Sequence, residues 1–271
     1  MDEIIREKLD GERTILALRS DWNALLRDDL LRQFASVAPS DRREYGAGRV
    51  LHFSYLPAGA PSRVFVREIH RGGWLSFLHN FHFGHARLEK EIRATRIARA
   101  AGVPVPAILA TKASRIFGPF HRLTVVLEEI PDATPLLQKA GSMPGKDRRR
   151  IAEEVARHLR TLHDAGVYHV DLTVLNILVD GDGRVHIIDL DKARTSGRPS
   201  DRLARSVLAR FTRSVEKTKL APSRLERIRF LRAYLGGGSG VPALARACTK
   251  GLRFHRLGWF LTGKRERSLP L

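Results

Sequence analysis

The chain predicts an α+β fold of two lobes, a small β-rich lobe followed by a mainly helical one. Three observations carry this. The first half holds short apolar runs set between turn residues, the mark of strands. After residue 145 the apolar positions recur at helical spacing. Inside that helical half, Asp180-Gly-Asp-Gly183 separates two further apolar runs and signals a hairpin.

In order, residues 1–44 read as a helical extension of two short stretches with mixed charge. Residues 45–131 form the β-rich lobe. Gly46-Ala-Gly48 precedes two candidate strands, 49–55 and 63–69, joined by the turn-rich Leu56-Pro-Ala-Gly-Ala-Pro-Ser62. Residues 85–100 read as a helix, with Leu88, Ile92 and Ile97 among charged residues and Gly102 and Pro104 as its stop. Residues 122–128 form a short apolar strand ending at Ile130-Pro131. The helical lobe takes residues 132–271. Asp147 is placed to cap a helix to about Ala165, with Ile151, Val155, Leu159 and Leu162 on one stripe and Gly166 ending it. Strands 176–179 and 184–190 flank the hairpin turn. Two basic amphipathic helices follow. One has Leu203, Val207, Leu208, Phe211 and Val215 on a face. The other opens on a Ser223/Glu226 capping box and is expected to bury Leu225, Ile228, Leu231 and Leu235. Gly236-Gly-Gly-Ser-Gly240 then breaks the chain before a short basic tail.

The 271 residues are 43% apolar, ordinary for a folded chain with a buried core. Cys248 is the one cysteine, which excludes an intramolecular disulfide and leaves a zinc site without its usual thiolates. The acidic start, Met1-Asp-Glu-Ile-Ile-Arg-Glu7, has no apolar run of signal-peptide kind, and no segment approaches a spanning helix. A cytoplasmic protein, soluble or bound to a surface, is expected. The formal charge of +19 is lopsided: residues 192–271 hold 20 Lys or Arg against 4 Asp or Glu, a net of +16. Such a block suits nucleic acid, anionic lipid or a phosphorylated substrate, and also suits a merely solvated surface.

Chemistry is concentrated in His169-Val-Asp171-Leu-Thr-Val-Leu-Asn176-Ile-Leu-Val179 and Ile187-Ile-Asp189-Leu-Asp191. An aspartate precedes an asparagine by five residues, and a second aspartate lies thirteen further on, after an apolar run. This is the layout of a phosphotransferase site. In the protein-kinase arrangement one aspartate takes the acceptor hydroxyl's proton, while the asparagine and the later aspartate hold Mg²⁺ against the ATP phosphates. Asp171 is then the base, Asn176 and Asp189 are the metal ligands, and His169 supports the loop through a hydrogen bond. Hard oxygen donors suit Mg²⁺ and leave coordination positions for phosphate. Strand hairpin, helix, strand and a helical half with a catalytic hairpin is also the order of a two-lobed kinase, with ATP between the lobes.

Other positions carry less chemistry of their own. Gly46 and Gly48 can let backbone N–H groups approach ATP phosphates, and read equally as an ordinary turn. Arg67 ends the second strand, where a protein kinase has a phosphate-gripping lysine, and Glu91 on the next helix is its candidate partner; a surface ion pair would look the same. Arg71-Gly72-Gly73 combines a guanidinium with two unhindered backbones, an anion-binding device or a simple loop.

With residues 66–73 (Val-Arg-Glu-Ile-His-Arg-Gly-Gly), 101–106 (Ala-Gly-Val-Pro-Val-Pro) and His-x-Asp-Leu-x₄-Asn-Ile-Leu in view, the chain resembles the lipopolysaccharide core kinases. It is most similar to those acting on 3-deoxy-D-manno-octulosonic acid (Kdo). The likeness runs from about Gly46 to Lys192. It implies an enzyme on the cytoplasmic face of the bacterial inner membrane, with ATP and Mg²⁺ as cofactors. That enzyme would phosphorylate the 4-hydroxyl of Kdo on an anionic lipid A precursor. The basic C-terminal region would then rest on an anionic membrane surface. The heptose kinases of the same pathway are the nearest alternative. Kinases of cationic small molecules fit the net +16 poorly, and the intact Asp171, Asn176 and Asp189 set disfavours an inactive binding module. No zinc-finger or RNP motif accompanies the basic residues, so no specific nucleic-acid partner is expected.

Overall fold

A computed structural model describes residues 4–9, 14–44, 52–69, 82–218, 222–237 and 239–249. The chain divides into two compact units, residues 1–99 with 105–131, and residues 100–104 with 132–271.

The first unit is built on one eight-stranded antiparallel sheet. Its strands are β1 (Ile4–Leu9), β2 (Thr14–Arg19), β3 (Arg43–Glu44), β4 (His52–Tyr55), β5 (Val64–Glu68), β6 (His82–Phe83), β7 (Ile108–Phe117) and β8 (Phe120–Glu128). The order is β1-β2-β7-β8-β5-β4-β3, with β6 paired to the start of β8. Helices α1 (Asn23–Leu31) and α2 (Ala86–Ala100) complete it.

The two-residue period of the strands divides the core. Val64, Val66 and Val126 pack with Leu16, Leu18, Leu26, Leu30 and Phe34 around α1. The intervening positions Leu123 and Val125 pack with Leu88 of α2. Arg67 pairs across the ladder with Val125, so the same alternation puts it among residues that meet α2. Lys112, buried on β7, donates through Nζ to the carbonyl of Leu30 at 2.6 Å and stops α1 with a cation, as the helix dipole favours.

The start of the chain corrects the sequence-based expectation. Residues 4–9 and 14–19 are a strand pair, not helix, and among the described residues of 1–44 only α1 is α-helical. They extend the sheet through β2 and β7. In β2 the alternation is read by Leu16 and Leu18, both fully buried, while edge strand β1 exposes Arg6 and Lys8. Those edge charges discourage further pairing and mask the period. Strand β7, which the sequence reading left out, is the longest in the sheet; Thr111 and Lys112 are buried among its apolar positions, so no clean alternation marks it.

The second unit is mainly helical: α3 (Leu136–Lys139), α4 (Gly145–Asp164), α5 (Asp201–Lys217), α6 (Arg224–Leu235) and α7 (Val241–Thr249). Short strands β9 (Thr134–Pro135), β11 (Ile177–Val179) and β12 (Val185–Ile187) form one small sheet, and β10 (Val167–Tyr168) pairs with β13 (Arg194–Thr195). Helix α4 buries Ile151, Val155, Leu159 and Leu162 on the expected stripe. Its N-cap is Pro144 and makes no side-chain cap, so Asp147 lies inside the first turn instead of capping it. Gly166 ends the segment at φ +73°, and a Cβ there would lie 2.2 Å from the Ser196 carbonyl oxygen. That close approach holds β10 against β13 and leaves no room for a side chain.

Helix α5 is capped by Ser200, and α6 has the full Ser223/Glu226 capping box. The buried face of α6 differs from expectation: Leu225 is 48% exposed, while Glu226 and Tyr234 are buried. Glu226 is drawn inward because it accepts from the Ser223 N–H and pairs with Arg148 of α4 at 2.8 Å. Tyr234 places its hydroxyl 2.7 Å from Nδ1 of buried His163. The Gly-rich break leads into α7, where a tail had been expected. Among the described residues no helix is long and apolar enough to cross a membrane.

Candidate active site

The His169-Val-Asp171 loop follows β10. His169 is 1% exposed, and its Nε2–H donates to the Ile188 carbonyl at 3.1 Å. Burial pushes the imidazole pKa down, against the opposing pull of that hydrogen bond and nearby aspartates. The ring is therefore neutral and ties the loop to the residue before Asp189.

Asp171 stands two residues on, half-buried. Its Oδ2 accepts from Lys192 Nζ at 2.7 Å, and its Oδ1 from a terminal nitrogen of Arg210. Burial pushes the carboxyl up, but the Lys192 hydrogen bond and the charges of Lys192 and Arg210 outweigh it and hold it below the usual carboxylate range. Neither cation was picked out from the sequence. Lys192 is three residues past Asp189 in the next turn. Arg210 comes from α5, whose Ser214 hydroxyl also accepts the Val174 N–H at 3.0 Å and so docks the helix on the loop.

Asn176 and Asp189 are brought together by the hairpin. The register Ile177↔Ile187 and the Ile188 N–H to Asn176 carbonyl bond at 3.0 Å set both at one end of the paired strands. Asp189 is exposed and holds φ +65°, ψ +59°, a left-handed conformation unusual for a residue with a Cβ. Asn176 Oδ1 accepts from the Thr173 N–H at 2.8 Å and its hydroxyl at 2.7 Å. Both lone pairs of that oxygen thus serve the loop, and metal binding requires it to release Thr173. Among the described residues no group of three or more His, Cys, Asp or Glu is arranged to hold a metal. A donor set of one carboxylate and one amide fits Mg²⁺, which is commonly bound by one or two protein groups together with substrate phosphates.

In the sheet unit Arg67 and Glu91 form an ion pair, with side chains 12% and 3% exposed. Gly46, Gly48, Arg71, Gly72 and Gly73 lie outside the described residues.

A β-rich unit, a helical unit and a His-x-Asp loop feeding a short hairpin define a protein-kinase-like fold. The structure of "WaaP in complex with acyl carrier protein" superposes with a TM-score of 0.60 over 87% of this chain and 98% of that one, at 22% identity. The chain belongs to the lipopolysaccharide kinase (Kdo/WaaP) family, whose sequence profile matches residues 49–234, more than half of its length. It is similar to the 3-deoxy-D-manno-octulosonic acid kinase of Vibrio cholerae serotype O1, 34% identical over 119 residues, 44% of this chain and 48% of that protein. The enzyme of the same name from Xylella fastidiosa is 29% identical over 159 residues, 57% and 62% of the two chains. The matches thus span about half to three fifths of those relatives.

Proposed function

We propose that this protein transfers the γ-phosphate of ATP to the 4-hydroxyl of Kdo on a lipid A precursor. The observation that carries the reading is an accessible, ionised Asp171 on a histidine-supported loop next to the Asn176/Asp189 hairpin end, in a chain of the Kdo/WaaP family. Asp171 receives the acceptor hydroxyl's proton. Its lowered pKa keeps it ionised at neutral pH and makes it a weak base. That suits phosphoryl transfer, which depends more on positioning and charge than on proton abstraction.

Asp189 and Asn176 would hold Mg²⁺, which supplies charge neutralisation for the ATP phosphates. Arg67, oriented by Glu91, takes the part of the phosphate-gripping lysine; its guanidinium cannot lose its charge when buried. Relatives named for Kdo favour that acceptor over heptose.

We assign the protein to the cytoplasmic face of the inner membrane, held there by anionic lipid. Supporting this, Arg202, Arg205, Arg224, Arg227, Arg229 and Arg232 are exposed on α5 and α6. At and beside the β7–β8 hairpin, Phe117 and Phe83 are 53% and 72% exposed. Exposed cations on the helical unit suit an anionic surface, and exposed aromatics on the sheet unit suit a lipid interface. Equal sedimentation with anionic and neutral liposomes would remove this part of the reading.

The central test is to incubate the protein with Mg-ATP and a Kdo-bearing lipid A precursor and follow mass. One added phosphate on the Kdo unit is expected. Absence of product with this acceptor, or phosphate found only on a heptose when both sugars are offered, overturns the assignment.

A further inference from the structure

Two cations face one carboxylate at Asp171. Lys192 and Arg210 both pair with it, and neither pairs with another carboxylate among the described residues. The cluster therefore retains one positive charge. It is also open: the Lys192 and Arg210 side chains are 51% and 42% exposed. Arg210 reaches Asp171 through a single terminal nitrogen and makes no other hydrogen bond among the described residues. A guanidinium used at one corner keeps donors for a second planar anion.

For a base alone this arrangement is counterproductive, because each cation weakens the carboxylate's hold on a proton. It becomes useful if the acceptor brings a negative charge of its own. A carboxylate arriving beside Asp171 without compensation would be repelled.

We propose that Lys192 and Arg210 form a carboxylate subsite that receives the acid group of the acceptor sugar and sets its hydroxyl before Asp171. This rests on the sugar-acid kinase reading above. Both cations are held by the fold. Lys192 sits in the turn that follows Asp189, and Arg210 sits on the helix docked to the loop through Ser214 and Val174. The subsite selects acidic sugars over neutral ones, and the two side chains are specificity residues, not catalytic ones.

The test compares the Kdo acceptor with its neutral methyl ester, using the full-length protein, Lys192→Met and Arg210→Met, with circular dichroism as the folding control. For the wild type, esterification is expected to raise the acceptor KM roughly 10- to 100-fold, the range of a charge-assisted hydrogen bond. Each variant should show a similar rise with the acid and little further response to the ester, while KM for ATP stays within about twofold of wild type. The acidic limb of the pH profile should also move up in both variants as the Asp171 carboxyl loses a cation. Should Arg210→Met fail to fold, half-exposed Lys192 carries the comparison. A variant that loses equally on acid and ester, or whose loss falls on KM for ATP, overturns the subsite. A wild type that phosphorylates acid and ester equally removes the subsite and leaves the kinase reading standing. No product from the wild type with either acceptor defeats the kinase reading itself.

Discussion

In the sheet unit one arginine meets one glutamate under cover, whereas in the helical unit two cations meet one aspartate in the open. The Arg67–Glu91 pair joins a guanidinium to a carboxylate, with both side chains largely removed from water. The Asp171 cluster has a cation in excess and leaves its side chains 34–51% exposed. A buried pair resists separation, because parting it strands a charge. An unbalanced, exposed cluster is poised to accept a further anion. The same side-chain chemistry thus fixes an arginine in place in one unit and leaves cations open in the other.

The largest expected effect tests the open cluster. Asp171→Asn should lower turnover by about 10²- to 10⁴-fold, the usual share of a positioned acid or base, with an unchanged circular dichroism spectrum. Near-wild-type turnover would mean that Asp171 only anchors the two cations.

Next is the closed pair. Glu91→Ala leaves the Arg67 guanidinium buried without its carboxylate and should cost about 3–5 kcal/mol in urea unfolding. A loss under ~1 kcal/mol would show that the site admits water and that the two clusters do not differ in kind.

A pH series separates a third, uncharged contact from both. Burial holds the His163 imidazole at about 4, below the ordinary 6.5. The unfolded chain therefore binds the proton more tightly. This contribution is whole above the unfolded value, and is lost as pH falls from about 6.5 towards 4, on the order of 3 kcal/mol. The Asp171 carboxyl, also lowered, gives up its contribution only at still more acid pH. His163→Asn should flatten the stability profile between pH 6.5 and 4; an unchanged slope would assign it elsewhere.

The smallest effect is the most direct contrast with Glu91. Lys192→Met should change stability by no more than ~1 kcal/mol, as exposed ion pairs do, even where acceptor binding suffers. A loss as large as that of Glu91→Ala would make the open cluster structural.

The site was legible where its chemistry is local. His169, Asp171 and Asn176 share one loop, and Asp189 follows across a hairpin announced by Asp180-Gly-Asp-Gly183, so spacing alone could bring them together. The Arg67–Glu91 pairing was readable from the kinase-like order of a strand-end cation followed by a helix. Lys192 and Arg210 were not readable as partners of Asp171. No motif placed them, and the basic composition of the C-terminal region hid them among many equivalent cations. The first strands were missed for a related reason: an edge strand with exposed charges shows half an alternation, and the rest comes from the neighbours it pairs with.

The sequence by itself determined the His-x-Asp loop, the hairpin beside it and the fold class, because turn residues and short-range periodicity act within a few positions. Only the tertiary structure decided which of many cations face Asp171. It also decided that Leu225 stays in water while Glu226 is buried. Those outcomes depend on which surfaces of distant helices meet, and the free energy that selects them comes from burial and pairing across the fold.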